Sequence, residues 1–534
     1  MLRNNRERLP LCQDAKTPQM AQREMRHSVG VQHAKHVRGE LPKGLLVYLG
    51  VFLSGGGVLV VEIAGTRVLA PTYGATVHLW SALIAVTLCS LCIGNLMGGR
   101  LARKPQADRK LGAAICTAGV CILLIPLQAP SLIKAGEHLG YHAGLLALSL
   151  SLFAPPLILL GTVVPLSFET LSKATSPSSH LVGKLSAAST FGAVAFALLT
   201  GFLFLPYVGV RALFGATGAI VTLAGFPLLL SRSRPAHMVA GLAAVLALAV
   251  AAAMPSEETS QVAYYPSSYG ELAVTKTESA TTLWMNGIPQ TSIQPSSGRS
   301  NMPYVHLCTE VAGRPGPGKA ALVLGMGGGS LASSLAGRGW SVDAVEVDRA
   351  VADLAKTTFR MPESITVHQG DARRYIREST CSYDLVVVDA FNAASLPAHM
   401  TSREFFAEVR DAMKPGAQLV LNVIAASWSS KIVSTLTRTL KTCFDSVRAY
   451  PLELPTTPGN ILLVASRGIL ETPGVFVSEA DEHIARACRL ALANSYDPVT
   501  TGDPIITDNK SRIEVLTGGE QVEIVRHMRK LSRR

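Results

Sequence analysis

Seven apolar stretches, each long enough to cross a bilayer as a helix, crowd residues 44–254 and limit what that half of the chain can become. They lie near 44–64, 78–98, 111–133, 144–166, 186–207, 210–231 and 236–254. In hydrocarbon every backbone N–H and C=O must find a partner inside the chain, so such stretches read as membrane helices. A mean hydropathy of +0.30, with 48% of residues hydrophobic, agrees with a protein that lies partly in a membrane. A multi-pass α-helical membrane domain of about seven spans is expected over 44–254. The glycine patches "SGGGV" (54–58) and "GNLMGG" (94–99) suit close helix approach, and Pro155, Pro156 and Pro165 are expected to kink the fourth span.

Charge follows the same division. Residues 1–254 hold 21 Lys/Arg against 8 Asp/Glu, a net +13, while the rest hold 28 against 29, a net −1. A nucleic-acid binder would carry such an excess as a stripe on a folded domain, so no nucleic-acid partner is expected. Residues 1–43, with nine Lys/Arg and three His, read as a disordered basic arm suited to anionic lipid. Beyond it, basic residues alternate between inter-span segments. Arg100, Arg103, Lys104, Arg109, Lys110, Lys173, Lys184, Arg232 and Arg234 fall in alternate loops; the intervening ones hold Arg67, Lys134 and Arg211. The positive-inside rule then gives a cell-membrane protein with a cytoplasmic N-terminus. Seven spans from that start put the C-terminal domain outside.

Glu62, inside the first span, is either functional or paired with a neighbouring helix. Cys89 and Cys92 form a CxxC without nearby His or acidic ligands, so small buried core residues are expected there and no disulfide framework is implied.

After Pro255 the composition becomes that of a soluble domain. "YGELAVTKTESATTLWMNGIPQTS" alternates like a hairpin sheet, giving a small β-strand subdomain over 262–318. From Lys319, apolar strands ("AALVLGMG", "SVDAVEVD", "ITVHQGD", "YDLVVVDAF", "QLVLNVI", "NILLVAS") alternate with helical segments. That pattern predicts an α/β doubly wound, Rossmann-like, mainly parallel sheet over 319–534.

Ligands bind such sheets at the carboxyl ends of the strands, and four features fall there. "LGMGGGS" supplies Gly325, Gly327 and Gly329 between a strand and a helix, allowing a tight turn and close ligand approach. Glu346 ends the next strand, twenty-one residues after Gly325, the distance at which an acid meets a ribose diol. Asp348, nearby, reads better as a surface carboxylate. Asp371 ends a third strand and is placed for an adenine amino group. Asp389 ends "YDLVVV" as a lone carboxylate before a loop of small residues. No P-loop lysine follows the glycines, which disfavours phosphoryl transfer.

These features, with "LWMNGIPQTS" upstream, "VEVD", "GDAR", "YDLVVVDAF" and "IITDNKSRIEVL", resemble the aminopropyltransferase family, the spermidine and spermine synthases, over about residues 262–515. "FLSGGGVLVVEIAGTRVLAPTYG", "GNLMGGRLARK" and "DAFNAASLPAHMTSREFF" are similar to a membrane-fused branch of that family. The resemblance implies a class I S-adenosylmethionine-dependent transferase fold. Decarboxylated S-adenosylmethionine would be the co-substrate, an amine the acceptor, and no metal would be needed. It implies Asp389 as the catalytic acid, Glu346 as the ribose ligand, and Asp371 with Ala372 at the adenine. Gln290, Tyr304 and Asn392 would line the substrate pocket, and a homodimer is implied as well.

The sequence departs from the family where a polyamine would sit. The Gly-loop Asp is Gly328, the second Asp of the "D-x-x-D" stretch is Asn392, the polar residue after the pocket Tyr is Val305, and the Gln of the first "YQ" is Gly270. The nucleoside half is kept and the amine half eroded, which points to an atypical acceptor. Two alternatives follow: a methyltransferase using intact S-adenosylmethionine, or an inactive nucleoside- or polyamine-binding sensor coupled to a transporter-like membrane domain. Because the family's nucleoside donor is cytosolic, the sequence leaves the side of the C-terminal domain open.

Overall fold

The computed structural model describes residues 43–74, 76–172, 179–229, 262–265, 267, 269–391, 396–470, 481–500, 502–511 and 513–531. Most of the basic arm, the seventh expected span at 236–254 and Asn392 lie outside the described residues. Among the described residues, six helices are long and apolar enough to cross a membrane. They are α1 (Lys43–Tyr73), α2 (Val77–Ala102), α3 (Ala107–Gly136), α4 (Tyr141–Ser172), α5 (Ser179–Phe204) and α6 (Val210–Leu229). Thr76 caps α2 by accepting from the Leu79 amide at 3.3 Å.

Helix contact in this bundle depends on missing side chains. A Cβ on Gly94 of α2 would lie 2.2 Å from the Ile158 carbonyl oxygen of α4, and one on Gly55 of α1 would lie 2.1 Å from that of Ser189 on α5. The fourth span is interrupted at Thr162, three residues before Pro165, whose ring cannot sit against a regular preceding turn, while the helix runs on through Pro155 and Pro156. Glu62 is half-buried and hydrogen-bonds Thr87 of α2, the pairing between neighbouring helices. Cys89 and Cys92 are exposed on the outer face of α2, which corrects the expectation of buried core positions. An apolar run flanked by lipid has no polar face to mark which side turns outward.

The soluble region starts with an antiparallel four-stranded sheet: β1 (Val262–Tyr265), β2 (Leu272–Lys276), β3 (Thr281–Met285) and β4 (Ile288–Ile293). The Asn286–Gly287 pair turns β3 into β4 with both residues at positive φ, the two-residue hairpin geometry. Helix α7 (Pro303–Ala312) follows, within the segment read as strand-only, and packs on the main sheet: Val305 and Leu307 join a buried cluster with Ala321 and Val323.

The main sheet has seven strands in the order β10-β11-β9-β8-β5-β6-β7. These are β5 (Ala320–Leu324), β6 (Ser341–Glu346), β7 (Thr366–Gln369), β8 (Tyr383–Val388), β9 (Met413–Ala425), β10 (Ser446–Pro451) and β11 (Gly459–Ser466). Strands β9, β8, β5, β6 and β7 run parallel, while β11 is antiparallel to both β9 and β10. Helices α8 (Ser330–Gly337), α9 (Arg349–Thr357), α10 (Ala372–Glu378), α11 (Arg403–Asp411), α12 (Lys431–Leu440) and α13 (Glu482–Ala493) are interleaved with the strands or follow them. A last helix, α14 (Ile513–Leu531), leaves this domain and packs against α1 and α4 of the bundle.

Candidate active site

Four adjacent parallel strands end on one rim. In sheet order, β8 delivers Asp389, β5 the glycine loop, β6 Glu346 and β7 Asp371, around a cavity of about 320 Å³. That volume is typical of a small-molecule site. Gly325 stands where the loop leaves β5, with φ at +87° and its amide bonded to the Val345 carbonyl at 3.0 Å. Any Cβ there would lie 2.5 Å from the Asp389 carbonyl oxygen, so only glycine lets the two strand ends come together.

Asp389 is held from two sides. Its Oδ2 accepts from the Tyr304 hydroxyl of α7 at 3.0 Å, and its Oδ1 accepts from Asn422 Nδ2 of β9 at 2.8 Å. Asn460 of β11 donates in turn to Asn422 Oδ1 at 2.9 Å, so a polar row crosses β8, β9 and β11. Burial pushes the Asp389 carboxyl up to about 7, against the two donated bonds, which hold it down. A carboxyl with that value, fixed in orientation and facing a cavity, is suited to taking a proton near neutral pH.

Glu346 is 8% exposed and already engaged. Oε2 accepts from the amides of Met326 and Gly327 at 3.2 and 3.3 Å, and Oε1 from that of Asp348 at 2.9 Å. Burial pushes this carboxyl upward and the three amide bonds oppose it. Asp371 caps α10 through the Arg374 amide and meets His399 Nε2 at 3.1 Å, on the exposed side of the cavity.

Residues 304–469 match the spermine/spermidine synthase domain family. The C-terminal part therefore holds a spermine/spermidine synthase domain. Two curated relatives align with it. A probable polyamine aminopropyl transferase of Bifidobacterium longum is 29% identical over 37% of this chain and 48% of its own length. A polyamine aminopropyltransferase of Vibrio vulnificus is 32% identical over 38% and 66%. The chain thus spans about half to two thirds of these relatives. A crystal structure of a probable spermidine synthase from Corynebacterium glutamicum aligns with a TM-score of 0.40 and 20% identity, over 48% of this chain and 99% of that one.

Within the synthase domain, the cavity gathers most of the residues singled out from sequence: Gly325, Gly327, Glu346, Asp371, Ala372 and Asp389, with Gln290 and Tyr304 opposite. Gly329 is not among its lining residues. It is the left-handed N-cap of α8, where a Cβ would strike Met361, so its role is packing. Asp348 is 4% exposed and accepts from the Ser267 hydroxyl, which corrects its reading as a surface carboxylate. Gly328 also lies off the cavity: its amide donates to Thr291 Oγ1 at 2.8 Å, and a Cβ would crowd Thr291 and Phe359. A Cβ at that position would point at Thr291 and Phe359 rather than into the cavity.

Sequence reasoning missed Asn422, Asn460, His399 and Met528, which all line the cavity. Asn422 had a visible signal, an amide inside the apolar strand "QLVLNVI". Met528 had none, since α14 reaches the site from far along the chain.

Proposed function

We propose that the synthase domain transfers an aminopropyl group from decarboxylated S-adenosylmethionine to an amine acceptor. The observation that carries this reading is Asp389, fixed by Tyr304 and Asn422 at the end of β8 with its carboxyl near 7, facing the cavity that the glycine loop and Glu346 also line. In the proposed step the amine nitrogen attacks the carbon beside the sulfonium. The new C–N bond forms as the C–S bond breaks, methylthioadenosine leaves, and the ammonium proton passes to Asp389. Glu346 would hold the ribose diol, and Asp371 with His399 would meet the adenine edge.

The test is product analysis on full-length protein in detergent, supplied with decarboxylated or intact S-adenosylmethionine and amines, with Asp389→Asn alongside. Methylthioadenosine release that depends on Asp389, with mass added to an amine, supports the reading. S-adenosylhomocysteine would make the domain a methyltransferase, and bound nucleoside without either product would leave a sensor.

We also propose that this domain stands on the non-cytoplasmic face, which requires its nucleoside donor to be exported to that side. Six alternating helices put Lys43, Arg100, Arg103, Lys104, Arg109, Lys110 and Lys184 toward one end of the bundle, and Arg67, Lys134 and Arg211 toward the other. The strand subdomain meets the second, base-poor end: Tyr264 to Leu272 enclose a cavity with Arg67 and the turn from Leu205 to Ala212. The positive-inside rule makes that end the outer one. Leu229 stands at the first end and Val262 at the second; the expected seventh span at 236–254 lies outside the described residues. A C-terminal reporter active only outside the cytoplasm supports this placement, and one active only in the cytosol removes it.

A further inference from the structure

We infer that the acceptor is a primary amine with one cationic centre and an apolar body, rather than a polyamine. The inference rests on the aminopropyl-transfer reading for the chemistry, but the pocket geometry states it separately. Four carboxylates line the cavity, and three of them, Glu346, Asp348 and Asp371, belong to the glycine-loop end. Asp389 is the single carboxylate on the other side among the described residues. Its neighbours there include Ile288, Met302, Ile424 and Met528. The polar side chains there are neutral: Gln290, Tyr304 and Asn422, the last two already pointing at Asp389, and Asn460, which points at Asn422.

The apolar wall is built, not incidental. Ile524, Val525 and Met528 of α14 form one buried cluster with Ile288 of β4 and Ile424 of β9. Two residues before Ile524 on α14, Val522 sits in the core of the membrane bundle, which braces the wall from behind. Neither Glu520, which accepts from the Ala426 amide at 3.1 Å, nor Glu453 lines the cavity.

One ammonium can meet Asp389. A second ammonium four to six carbons away would lie against this wall without an anionic partner, and an ion stripped of water without one is strongly disfavoured. A methylene chain or aromatic ring in the same place gains from leaving water. Acceptor choice is therefore set against a second charge.

The cleanest test compares n-hexylamine with 1,6-diaminohexane, and n-butylamine with putrescine, since each pair differs by one ammonium. With full-length protein and decarboxylated S-adenosylmethionine, kcat/KM is expected to favour the monoamine by about tenfold or more, the value of one missing charge-assisted bond. Preference for the diamine overturns the inference. Met528→Glu puts a carboxylate in the wall and is expected to move the ratio at least about tenfold toward the diamine; an unchanged ratio also counts against it. If no amine gains an aminopropyl group, the transfer reading fails, and calorimetry of the same amines on protein saturated with methylthioadenosine decides the pocket alone. Tighter monoamine binding then keeps the inference, and tighter diamine binding removes it.

Discussion

Tyr304 donates to Asp389 Oδ2 at 3.0 Å from the second residue of α7, the helix that closes the strand subdomain onto the main sheet. This bond stabilises the charged carboxylate, and so does the one from Asn422, while burial opposes both. Tyr304→Phe removes one stabilising donor. The Asp389 pKa should then rise above its value of about 7. Because the carboxylate form is the base, the acidic limb of the kcat/KM profile moves to higher pH, by about half a unit or more. A pH series from 5.5 to 9 reads the shift; a limb unmoved in Tyr304→Phe would detach this tyrosine from the titrating group.

Asp389 itself links activity to stability in opposite senses. Its folded pKa lies above the ordinary carboxylate value, so the native state resists ionising it. That penalty is absent below about pH 4, where the unfolded carboxyl is protonated as well; it grows as pH rises from there and is full above about 7. Asp389→Asn keeps an oxygen for Asn422 and carries no charge. It should lower turnover by about a hundredfold or more, yet raise the melting temperature at pH 8 by about 2–4 °C per kcal/mol of relieved strain, with little change at pH 4. Equal shifts at both values would mean that charge burial is not the cause.

The parts legible in sequence are those set by local periodicity. Strand and helix alternation placed β5 to β9 and β11, and with them the strand-end acids Glu346, Asp371 and Asp389, because a doubly wound sheet brings successive strand ends to one rim. Contacts made at a distance were not legible. Cys89 and Cys92 face outward because an all-apolar span does not mark its lipid side. Asp348 and Glu346 sit two residues apart on one strand end, and only the fold shows that Ser267 covers Asp348. The α14 wall depends on a helix bundle some four hundred residues upstream.

Arg373 joins three segments beside the cavity. It bonds Glu408 of α11 through Nε at 2.7 Å, Asp508 through Nη1 and Nη2 at 2.7 Å each, and the His399 carbonyl at 2.9 Å. Its side chain is 7% exposed, so Arg373→Met leaves two carboxylates short of a partner and should destabilise the domain by about 3 kcal/mol. Arg373 pulls Asp508 down to about 2, below the unfolded value near 4. The stability it contributes is full above pH 4 and lost as pH falls toward 2. Wild type should therefore lose stability across that window more steeply than Arg373→Met. Denaturant midpoints at pH 7, 4 and 2.5 check both statements; parallel curves would show that the ion pair contributes nothing.

The contact between Gly325 and the end of β8 gives the sharpest separation of binding from chemistry. A Cβ at Gly325 meets backbone on the far side, the Asp389 oxygen at 2.5 Å and the Ala390 Cα at 2.6 Å, and no flexible side chain can yield. With φ at +87° the alanine is strained as well. Together these should cost about 3 kcal/mol, or about 6–12 °C of melting temperature. The relief available is to move the end of β8, which carries Asp389 away from Tyr304 and Asn422. Gly325→Ala should therefore lower kcat more than it raises the dissociation constant for methylthioadenosine, whose proposed ribose and adenine contacts lie at the ends of β6 and β7. Gly337→Ala, at the end of α8 with open space around its Cβ, is the control and should change neither quantity. If Gly325→Ala weakens nucleoside binding while the kcat of saturated enzyme is unchanged, the loop serves the ligand alone and the link between Gly325 and Asp389 is wrong.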